Sequence, residues 1–413
     1  MSRASLVFVW LLFVTVFGAS LTSSASQPMA SKAFAIHDGD SVVFLGDSIT
    51  EQRLYTRYIE DFVVTRYPKM RVKFFNAGWS GDTAAGGLRR LERDVLSHKP
   101  TLVTVCFGMN DAGYRPLDEG RLSAYRQAMD GIVSALKTRG VRVVLLTPTV
   151  VDPDTRPELA GYNDVLARYA DVVKEIGARE GLLAVDLHTP FLAAQEKGKA
   201  ERGSRFTMIP DGIHPAPAGH LLMASLVLEA MGAEPLVSAV TVDAFHSDVQ
   251  AKKCRVRNLQ AKGRSVAFER LDSALPWAVD TLAERLLSLV PVYDDLNQYS
   301  LRVLSLPSGQ YRIMVDGVEC GRASAEELAA GVNLAKLRDM PEVRDALAVD
   351  SLTAAKENLD FTTWRTLDLG TSADLPGKAD ALEAMRKWVY QVEAKRRQLA
   401  QPHTHRFEVV EVR

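Results

Sequence analysis

Short apolar runs alternate with helical patterns from about residue 40 to residue 232. The apolar runs, which predict strands, cover 41–45, 72–75, 102–107, 141–146 and 182–187. The stretches with apolar residues at three- and four-residue spacing, which predict helices, cover 51–67, 84–96, 122–136, 159–176 and 216–231. Strands that alternate with helices form a parallel sheet covered on both faces, and such sheets bind ligands at the carboxyl ends of their strands. We therefore predict an α/β domain over residues 38–232.

The pattern changes after residue 232. Predicted strands cover 237–245, 301–306 and 311–315, and helical patterns cover 271–289, 323–337, 350–359 and 381–399. The turn residues Pro307-Ser308-Gly309 lie between the last two strands, which predicts a β-hairpin followed by a turn at Asp316-Gly317. We predict a mixed helix and hairpin extension over residues 233–413 that packs on the first domain. No motif indicates its role.

The first 25 residues have the three parts of a secretory signal peptide. Arg3 supplies the positive charge, residues 6–17 are apolar, and small residues precede a cleavage site after Ala25. An uncleaved membrane anchor is the alternative, but the apolar run is shorter than the roughly 20 residues of a membrane span. We expect export to the periplasm or the medium, with no stable membrane insertion after cleavage.

Charge and cysteine content restrict the partners. The 413 residues include 50 Lys and Arg against 51 Asp and Glu, for a net charge of -1. Such a balance lacks the basic surface expected of a nucleic-acid-binding protein. Cys106 lies in an apolar run and is expected to be a buried thiol, whereas Cys254 and Cys320 either pair with each other or stay free. The oligomeric state is not evident from the sequence.

Polar residues with catalytic chemistry follow the predicted strands. Ser48 lies on a tight turn between the first strand and a helix, where it is placed for nucleophilic attack or for capping the helix. Gly78 follows the second strand, and Asn110 follows the third. His214 comes three residues after Asp211 on a loop, so that one ring nitrogen can bond to the carboxylate while the other acts as a base. Taken singly, each signal is weak, and an ordinary cap or turn is the favoured interpretation.

Three further aromatic or histidine signals leave alternatives open. His220 is a weaker candidate for the base because it lies within a predicted helix. Trp79 either stacks on a sugar or packs in the core. His403 and His405 resemble a metal-binding pair, but a solvated tail or an edge strand is favoured because no third ligand is adjacent.

The blocks GDSIT, NAGWSGDT, GMND and DGIHP together resemble the SGNH (GDSL-type) hydrolase superfamily. The four name-giving residues of that superfamily match Ser48, Gly78, Asn110 and His214 in the expected order. The resemblance implies that Ser48 is the nucleophile, His214 the base and Asp211 its orienting carboxylate. It also implies an oxyanion hole made by the backbone N–H groups of Ser48 and Gly78 and by the Asn110 side chain.

The resemblance implies a three-layer α/β/α sandwich around a five-stranded parallel sheet with flavodoxin-like strand order. It implies ester hydrolysis through an acyl-enzyme, with no cofactor and no metal. Together with export, it favours removal of O-acetyl groups from a small or polymeric carbohydrate ester. The alternatives are a lipase, lysophospholipase or thioesterase for longer acyl chains and, outside the enzymes, a glycan-binding protein on the same fold.

Overall fold

The computed structural model describes residues 33–412, and a parallel sheet forms the centre of its first half. Its strands are β1 (Ser41–Gly46), β2 (Lys73–Gly78), β3 (Leu102–Cys106), β4 (Arg142–Leu146) and β5 (Leu183–Val185). They pair in the order β2-β1-β3-β4-β5, and every pairing is parallel. This is the flavodoxin-like order, so the predicted fold class is confirmed. The predicted signal peptide, residues 1–25, lies outside the described residues.

Helices cover both faces of this sheet. They are α1 (Ser48–Glu51), α2 (Leu54–Arg66), α3 (Ala84–Arg89), α4 (Leu91–Asp94), α5 (Glu119–Thr138), α6 (Tyr162–Glu180), α7 (His188–Arg202) and α8 (Pro217–Ala230). α2 packs against α8, while α5 packs against α3 and α6. The predicted helix over 51–67 is interrupted because Arg53 adopts a left-handed backbone conformation, with φ 60° and ψ 20°. α7 was not predicted, since its apolar positions are few.

The C-terminal region contains two further sheets. Its strands are β6 (Leu236–Asp243), β7 (Asp248–Lys252), β8 (Cys254–Lys262), β9 (Ser265–Asp272), β10 (Gln298–Leu304), β11 (Gln310–Val315), β12 (Val318–Ser324), β13 (Val332–Asn333) and β14 (Thr404–Glu411). Its helices are α9 (Val292–Leu296), α10 (Ala325–Ala330), α11 (Pro341–Phe361) and α12 (Lys378–Leu399). One sheet has the order β13-β10-β6-β7 and the other β12-β11-β14-β9-β8. Apolar side chains from both sheets form a second core.

The predicted hairpin between 301–306 and 311–315 is wrong. β10 pairs with β6 and β13, whereas β11 belongs to the other sheet, where it pairs with β12 and β14. The segment Pro307-Ser308-Gly309 therefore connects two sheets. The tight turn at Asp316-Gly317 forms the hairpin instead, between β11 and β12.

Two predicted C-terminal helices are also different in the structure. Residues 271–289 contain the end of β9, an extended segment and a short 3-10 turn at Thr281–Leu286. Residues 323–337 contain α10 followed by β13 and a second 3-10 turn. Both stretches contribute buried apolar residues to the core, and the spacing of these residues resembles that of a helix.

The strand order of the C-terminal sheet shows whether the two cysteines can form a disulfide and where His405 lies. Cys254 begins β8 and Cys320 lies in β12, which are the two edges of one sheet. Four strand spacings of about 4.8 Å separate them, far beyond the reach of a disulfide. The prediction of a solvated tail or an edge strand is wrong for His405, which lies on the inner strand β14 with its Nδ1 2.7 Å from Asp316 Oδ2. Within residues 33–412 no His, Cys, Asp and Glu cluster has the arrangement of a metal site.

The C-terminal region packs on the first half through both apolar and polar contacts. Side chains of the segment from Trp277 to Leu296 belong to the same core as the parallel sheet, and Trp277 Nε1 donates to Tyr58 O at 3.0 Å. α11 packs along α2 and α12 packs along α11. Among the described helices, none is both long and apolar enough to cross a bilayer.

A buried ion network joins α2 to α11 and α12. The Arg396 guanidinium and the Lys356 ammonium both contact the Glu60 carboxylate, the latter at 3.2 Å, and all three side chains are nearly inaccessible to solvent. Lys356 also donates to Phe74 O at 2.8 Å on β2. Burial opposes ionisation of Glu60, but the two cations outweigh it and lower its pKa. The network therefore fixes the C-terminal helices against the edge of the parallel sheet.

Candidate active site

Ser48 is the first residue of α1, two residues after the end of the inner strand β1. Asp47 caps the helix, with its Oδ1 accepting from Ile49 N at 3.0 Å. A Cβ on Gly46 would lie 2.7 Å from Cys106 O, so the close approach of β1 and β3 at this point requires glycine. Burial raises the pKa of Asp47 to about 7. The turn holds the Ser48 hydroxyl at the carboxyl edge of the sheet.

Asp211, His214 and Ser48 form one hydrogen-bonded chain. Ser48 Oγ lies 2.9 Å from His214 Nε2, and His214 Nδ1 lies 2.7 Å from Asp211 Oδ2. The other Asp211 oxygen accepts from the backbone N–H groups of Ile213 and His214 at 2.9 and 2.7 Å. Burial disfavours the Asp211 carboxylate, but these bonds outweigh it and lower its pKa. An ionised Asp211 directs the Nδ1 proton toward itself and leaves the Nε2 lone pair facing Ser48.

The three predicted oxyanion donors lie at adjacent strand ends. Gly78 is paired with Gly46 across β1 and β2, and Asn110 follows β3, the other neighbour of β1. Asn110 Oδ1 accepts from Tyr114 Oη at 2.8 Å while Nδ2 donates to Asp82 O at 2.9 Å. These two bonds fix the amide orientation, and one Nδ2 hydrogen remains for a ligand.

Gly78 has a bond that the sequence did not suggest. Its N–H donates to Asn76 Oδ1 at 2.9 Å. A side chain at this position would lie 2.6 Å from Glu51 Cα, so the close approach of β2 to α1 requires glycine. An oxyanion therefore shares the Gly78 N–H with Asn76 or displaces that amide.

A buried arginine supports the strand ends. Arg90 donates to Gly46 O at 3.0 Å and to Ala77 O at 2.7 Å, and its Nε lies 2.7 Å from Asp82 Oδ2. Arg90 thereby connects β1 and β2 to Asp82, whose backbone carbonyl accepts from the Asn110 amide. Sequence reasoning missed this residue because an arginine within a helical pattern gives no local signal of burial.

His220, the alternative base, lies in the core. Its Nδ1 accepts from Tyr55 N at 3.3 Å, and its Nε2 lies 2.6 Å from Gln52 Oε1. Burial lowers its pKa to about 3, so the ring is neutral. His220 has no contact with Ser48 Oγ and instead supports the segment that links α1 to α2.

Trp79 is half-buried against the C-terminal region. The Arg365 guanidinium lies 3.4 Å from its ring centroid, and Trp364 contacts it edge-on at 6.0 Å between centroids. One face of the indole is therefore covered by a cation. The half-buried ring is not a fully packed core residue, and stacking of Trp79 on a sugar stays a prediction.

The cavity beside the nucleophile has a volume of about 380 Å³. Its lining consists of Ser48, Glu51, Gln52, Arg53, Ser80, His214 and Phe361. Phe361 comes from the end of α11, so the C-terminal region forms part of the wall. Sequence reasoning did not find Arg53 or Phe361, because they lie about 300 residues apart and neither belongs to a motif.

Comparisons with known proteins agree with this geometry. Residues 44–222 match the GDSL-like Lipase/Acylhydrolase family. The acetylxylan esterase of Geobacillus stearothermophilus is 26% identical over 226 residues, which cover 48% of this chain and 97% of that protein. The isoamyl acetate-hydrolyzing esterase of Saccharomyces cerevisiae is 25% identical over 215 residues, 47% of this chain and 87% of that protein. A solved gut microbial diltiazem-metabolizing enzyme is 25% identical with a TM-score of 0.82, covering 92% of this chain and 100% of its own.

The parallel sheet, with serine, histidine and aspartate at its carboxyl edge, defines a serine hydrolase domain. Residues 44–222 form a GDSL-like lipase/acylhydrolase domain of the SGNH type, and the chain is a carboxylic ester hydrolase. The match to the diltiazem-metabolizing enzyme also spans the C-terminal region, so the extension is part of a shared architecture.

Proposed function

We propose that this protein is an exported esterase that removes O-acetyl groups from carbohydrates. The lack of a continuous run of aliphatic or aromatic side chains in the lining of the cavity beside Ser48 carries the proposal. Of its lining residues only Phe361 is apolar. A long acyl chain needs an extended apolar surface to leave water, whereas an acetyl group and a hydroxylated alcohol do not. The names of two relatives, an acetylxylan esterase and an isoamyl acetate-hydrolyzing esterase, support a short acyl group.

The geometry supports a two-step reaction. Ser48 Oγ attacks the acetyl carbonyl carbon while His214 Nε2 takes the hydroxyl proton. The carbonyl oxygen becomes an oxyanion that accepts from Ser48 N–H, Gly78 N–H and Asn110 Nδ2, donors of a kind worth roughly 10²–10³ in rate each. The bond to the sugar oxygen then breaks, His214 returns the proton to that oxygen, and acetyl-Ser48 remains.

The second step reverses the roles with water. His214 Nε2 takes a proton from a water molecule as its oxygen attacks acetyl-Ser48. The collapse of the second tetrahedral intermediate breaks the ester bond to Ser48, whose Oγ regains the proton from His214. Acetate leaves and the free enzyme is restored.

Substitution of the nucleophile tests the catalytic assignment. We expect Ser48→Ala to lower kcat for p-nitrophenyl acetate by at least about 10³-fold, because no acyl-enzyme can form. Ser123→Ala, on the exposed face of α5, is the matched control and should retain wild-type kcat. Unchanged hydrolysis by Ser48→Ala would refute the assignment.

Substrate choice tests the acetylesterase proposal separately. We expect kcat/KM for p-nitrophenyl acetate to exceed that for the octanoate by about tenfold or more, and acetate to be released from acetylated xylo-oligosaccharides. A preference for octanoate would support a lipase or thioesterase instead. Export is tested by the N-terminal sequence of the protein recovered from the periplasm or the medium, which should begin at Ser26.

A further inference from the structure

Arg53 and Phe361 form one wall of the cavity that contains Ser48 and His214. Arg53 comes from the α1–α2 connection, and Phe361 is the last residue of α11. The Arg53 guanidinium lies 4.2 Å from the centroid of the Phe361 ring. The two regions of the chain therefore meet at a cation on an aromatic ring, beside the nucleophile.

The Arg53 side chain is held in place. It donates to Glu51 O at 2.9 Å and to Asn358 Oδ1 at 3.2 Å, while Phe361 supports its face. Its backbone has φ 60°, a left-handed conformation that costs a non-glycine residue of order 1 kcal/mol. A costly backbone conformation that aims a fixed side chain into a cavity is characteristic of functional positions.

The charge of Arg53 has no ionic partner within the described part of the chain. Two carboxyl groups act electrostatically on the guanidinium, those of Glu357 and Glu51. Glu51 Oε1 faces Arg365 at 3.5 Å. Burial raises the pKa of Glu357 to about 8, so that this group is protonated at neutral pH. Arg53 thus forms no ion pair with a carboxylate among the described residues, and its guanidinium lies in the wall of the cavity.

We propose that Arg53 binds an anionic substituent, a carboxylate or a sulfate ester, on the alcohol part of the substrate. An acetyl group in an ester has no ionisable group, so the anion belongs to the sugar that leaves. A guanidinium offers several N–H donors in one plane and binds such oxyanions with charge-assisted hydrogen bonds. Phe361 and Asn358 act as positioning residues for the guanidinium. This inference rests on the proposed carbohydrate esterase function.

The experiment compares acetylated methyl glucuronoside and acetylated methyl glucoside 6-sulfate with the equally acetylated neutral methyl glucoside. We expect wild-type kcat/KM to favour at least one anionic sugar by about 10–100-fold, mainly through KM, because hydrogen bonds to charged groups are worth about 1.5–3 kcal/mol. Arg53→Gln should bring the ratio close to one, and Arg53→Lys should restore part of it. Asn358→Ala should lower the ratio less than Arg53→Gln.

Arg71→Gln is the matched control. Arg71 is highly exposed and precedes β2, so it lies at the amino ends of the strands, whereas the cavity lies at their carboxyl ends. Its substitution therefore removes the same charge far from the cavity. This variant should keep the wild-type ratio. A wild-type ratio near one for both anionic sugars, or a ratio that persists in Arg53→Gln, would overturn the inference. Competitive inhibition of wild-type p-nitrophenyl acetate hydrolysis by free methyl glucuronoside gives a second readout, and it requires no measurement on a variant.

A pair of aryl esters separates this inference from the proposed function. If p-nitrophenyl acetate is hydrolysed but no acetylated sugar is, the carbohydrate function is wrong. The comparison of 4-acetoxybenzoate with 4-acetoxybenzamide then tests Arg53 alone. A preference for the carboxylate that Arg53→Gln abolishes supports anion binding, and equal rates overturn it.

Discussion

Two Asp-x-x-His pairs, one in each region of the molecule, have the same local geometry. Asp211 and Asp243 each accept two backbone N–H groups from the following loop, and each bonds to Nδ1 of the histidine three residues on, at 2.7 and 2.8 Å. Only His214 places its other nitrogen against a serine hydroxyl at a strand end. His246 lies on an exposed turn between β6 and β7. A short motif therefore fixes an imidazole, but the surrounding sheet decides whether the imidazole can act as a base.

The two regions also differ in how they contribute to the active site. The α/β region supplies the reacting groups from turns that directly follow strands. The C-terminal region supplies Phe361 to the wall of the cavity, Asn358 to hold the Arg53 guanidinium, and Arg365 to cover Trp79. Chemistry therefore comes from local turns, whereas the shape of the cavity comes from the packing of α11 on α2.

The largest expected effect is the loss of kcat on substitution of Asp211, compared with the same substitution of Asp243. Asp211→Asn should lower kcat for p-nitrophenyl acetate by about 10⁴-fold, because an amide in place of the carboxylate stabilises the wrong histidine tautomer. Asp243→Asn, the same change in the same local geometry, should leave kcat at the wild-type value. Comparable losses in both variants would contradict the assignment of Asp211 and end the distinction between the two pairs.

The buried ion network gives the next largest effect. Arg396→Leu should lower the free energy of unfolding by about 3–5 kcal/mol, because it leaves the Glu60 carboxylate buried with only Lys356 as a cation. The neighbouring exposed Lys395→Leu is the control, with an expected change within about 0.5 kcal/mol. Denaturant titration measures both values. If the two variants are equally stable, the network does not hold the regions together.

A smaller effect concerns pH. Burial raises the pKa of Glu357 from 4.5 to about 8, so the folded protein holds a proton that the unfolded chain releases between these values. This contribution makes the protein less stable as pH rises from about 5 to about 8. Glu357→Gln, which stays neutral, should lose that part of the decline.

The measurement is the free energy of unfolding at several pH values for wild type and Glu357→Gln. The difference between the two should shift in favour of the variant as pH rises. Glu92→Gln, at a highly exposed position, should follow the wild-type curve. Parallel curves for wild type and Glu357→Gln would show that Glu357 is already ionised in the folded state.

The smallest expected effect is that of reducing agent. Because Cys254 and Cys320 lie on opposite edges of one sheet, dithiothreitol should leave the unfolding midpoint unchanged, and all three thiols should react in the unreduced, denatured protein. Fewer than three reactive thiols would contradict the strand order of the C-terminal sheet or reveal a bond between chains.

Periodicity predicted the parallel sheet because its inner strands β1, β3 and β4 are short apolar runs that are buried along nearly their whole length. The same reasoning failed at β10 and β11, since the choice of a partner strand depends on packing far along the sequence. The loop containing Pro307 has the composition of a hairpin turn, yet it joins two sheets. The boundary between the regions near residue 232 remains a prediction, and the segment from Trp277 to Leu296 shares the first core.

The sequence alone determined the order of the α/β elements and the positions of Ser48, Asp211 and His214 at the ends of turns, because period and turn chemistry are local. Only the tertiary structure decided that Arg53 meets Phe361, that Glu60 meets Arg396, and that Cys254 cannot reach Cys320. These contacts join residues far apart in the chain, and no local pattern encodes which distant surfaces bury each other. The reacting groups of this esterase therefore lie in short sequence motifs. The cavity wall formed by Arg53 and Phe361, which we propose selects the substrate, depends on the tertiary fold.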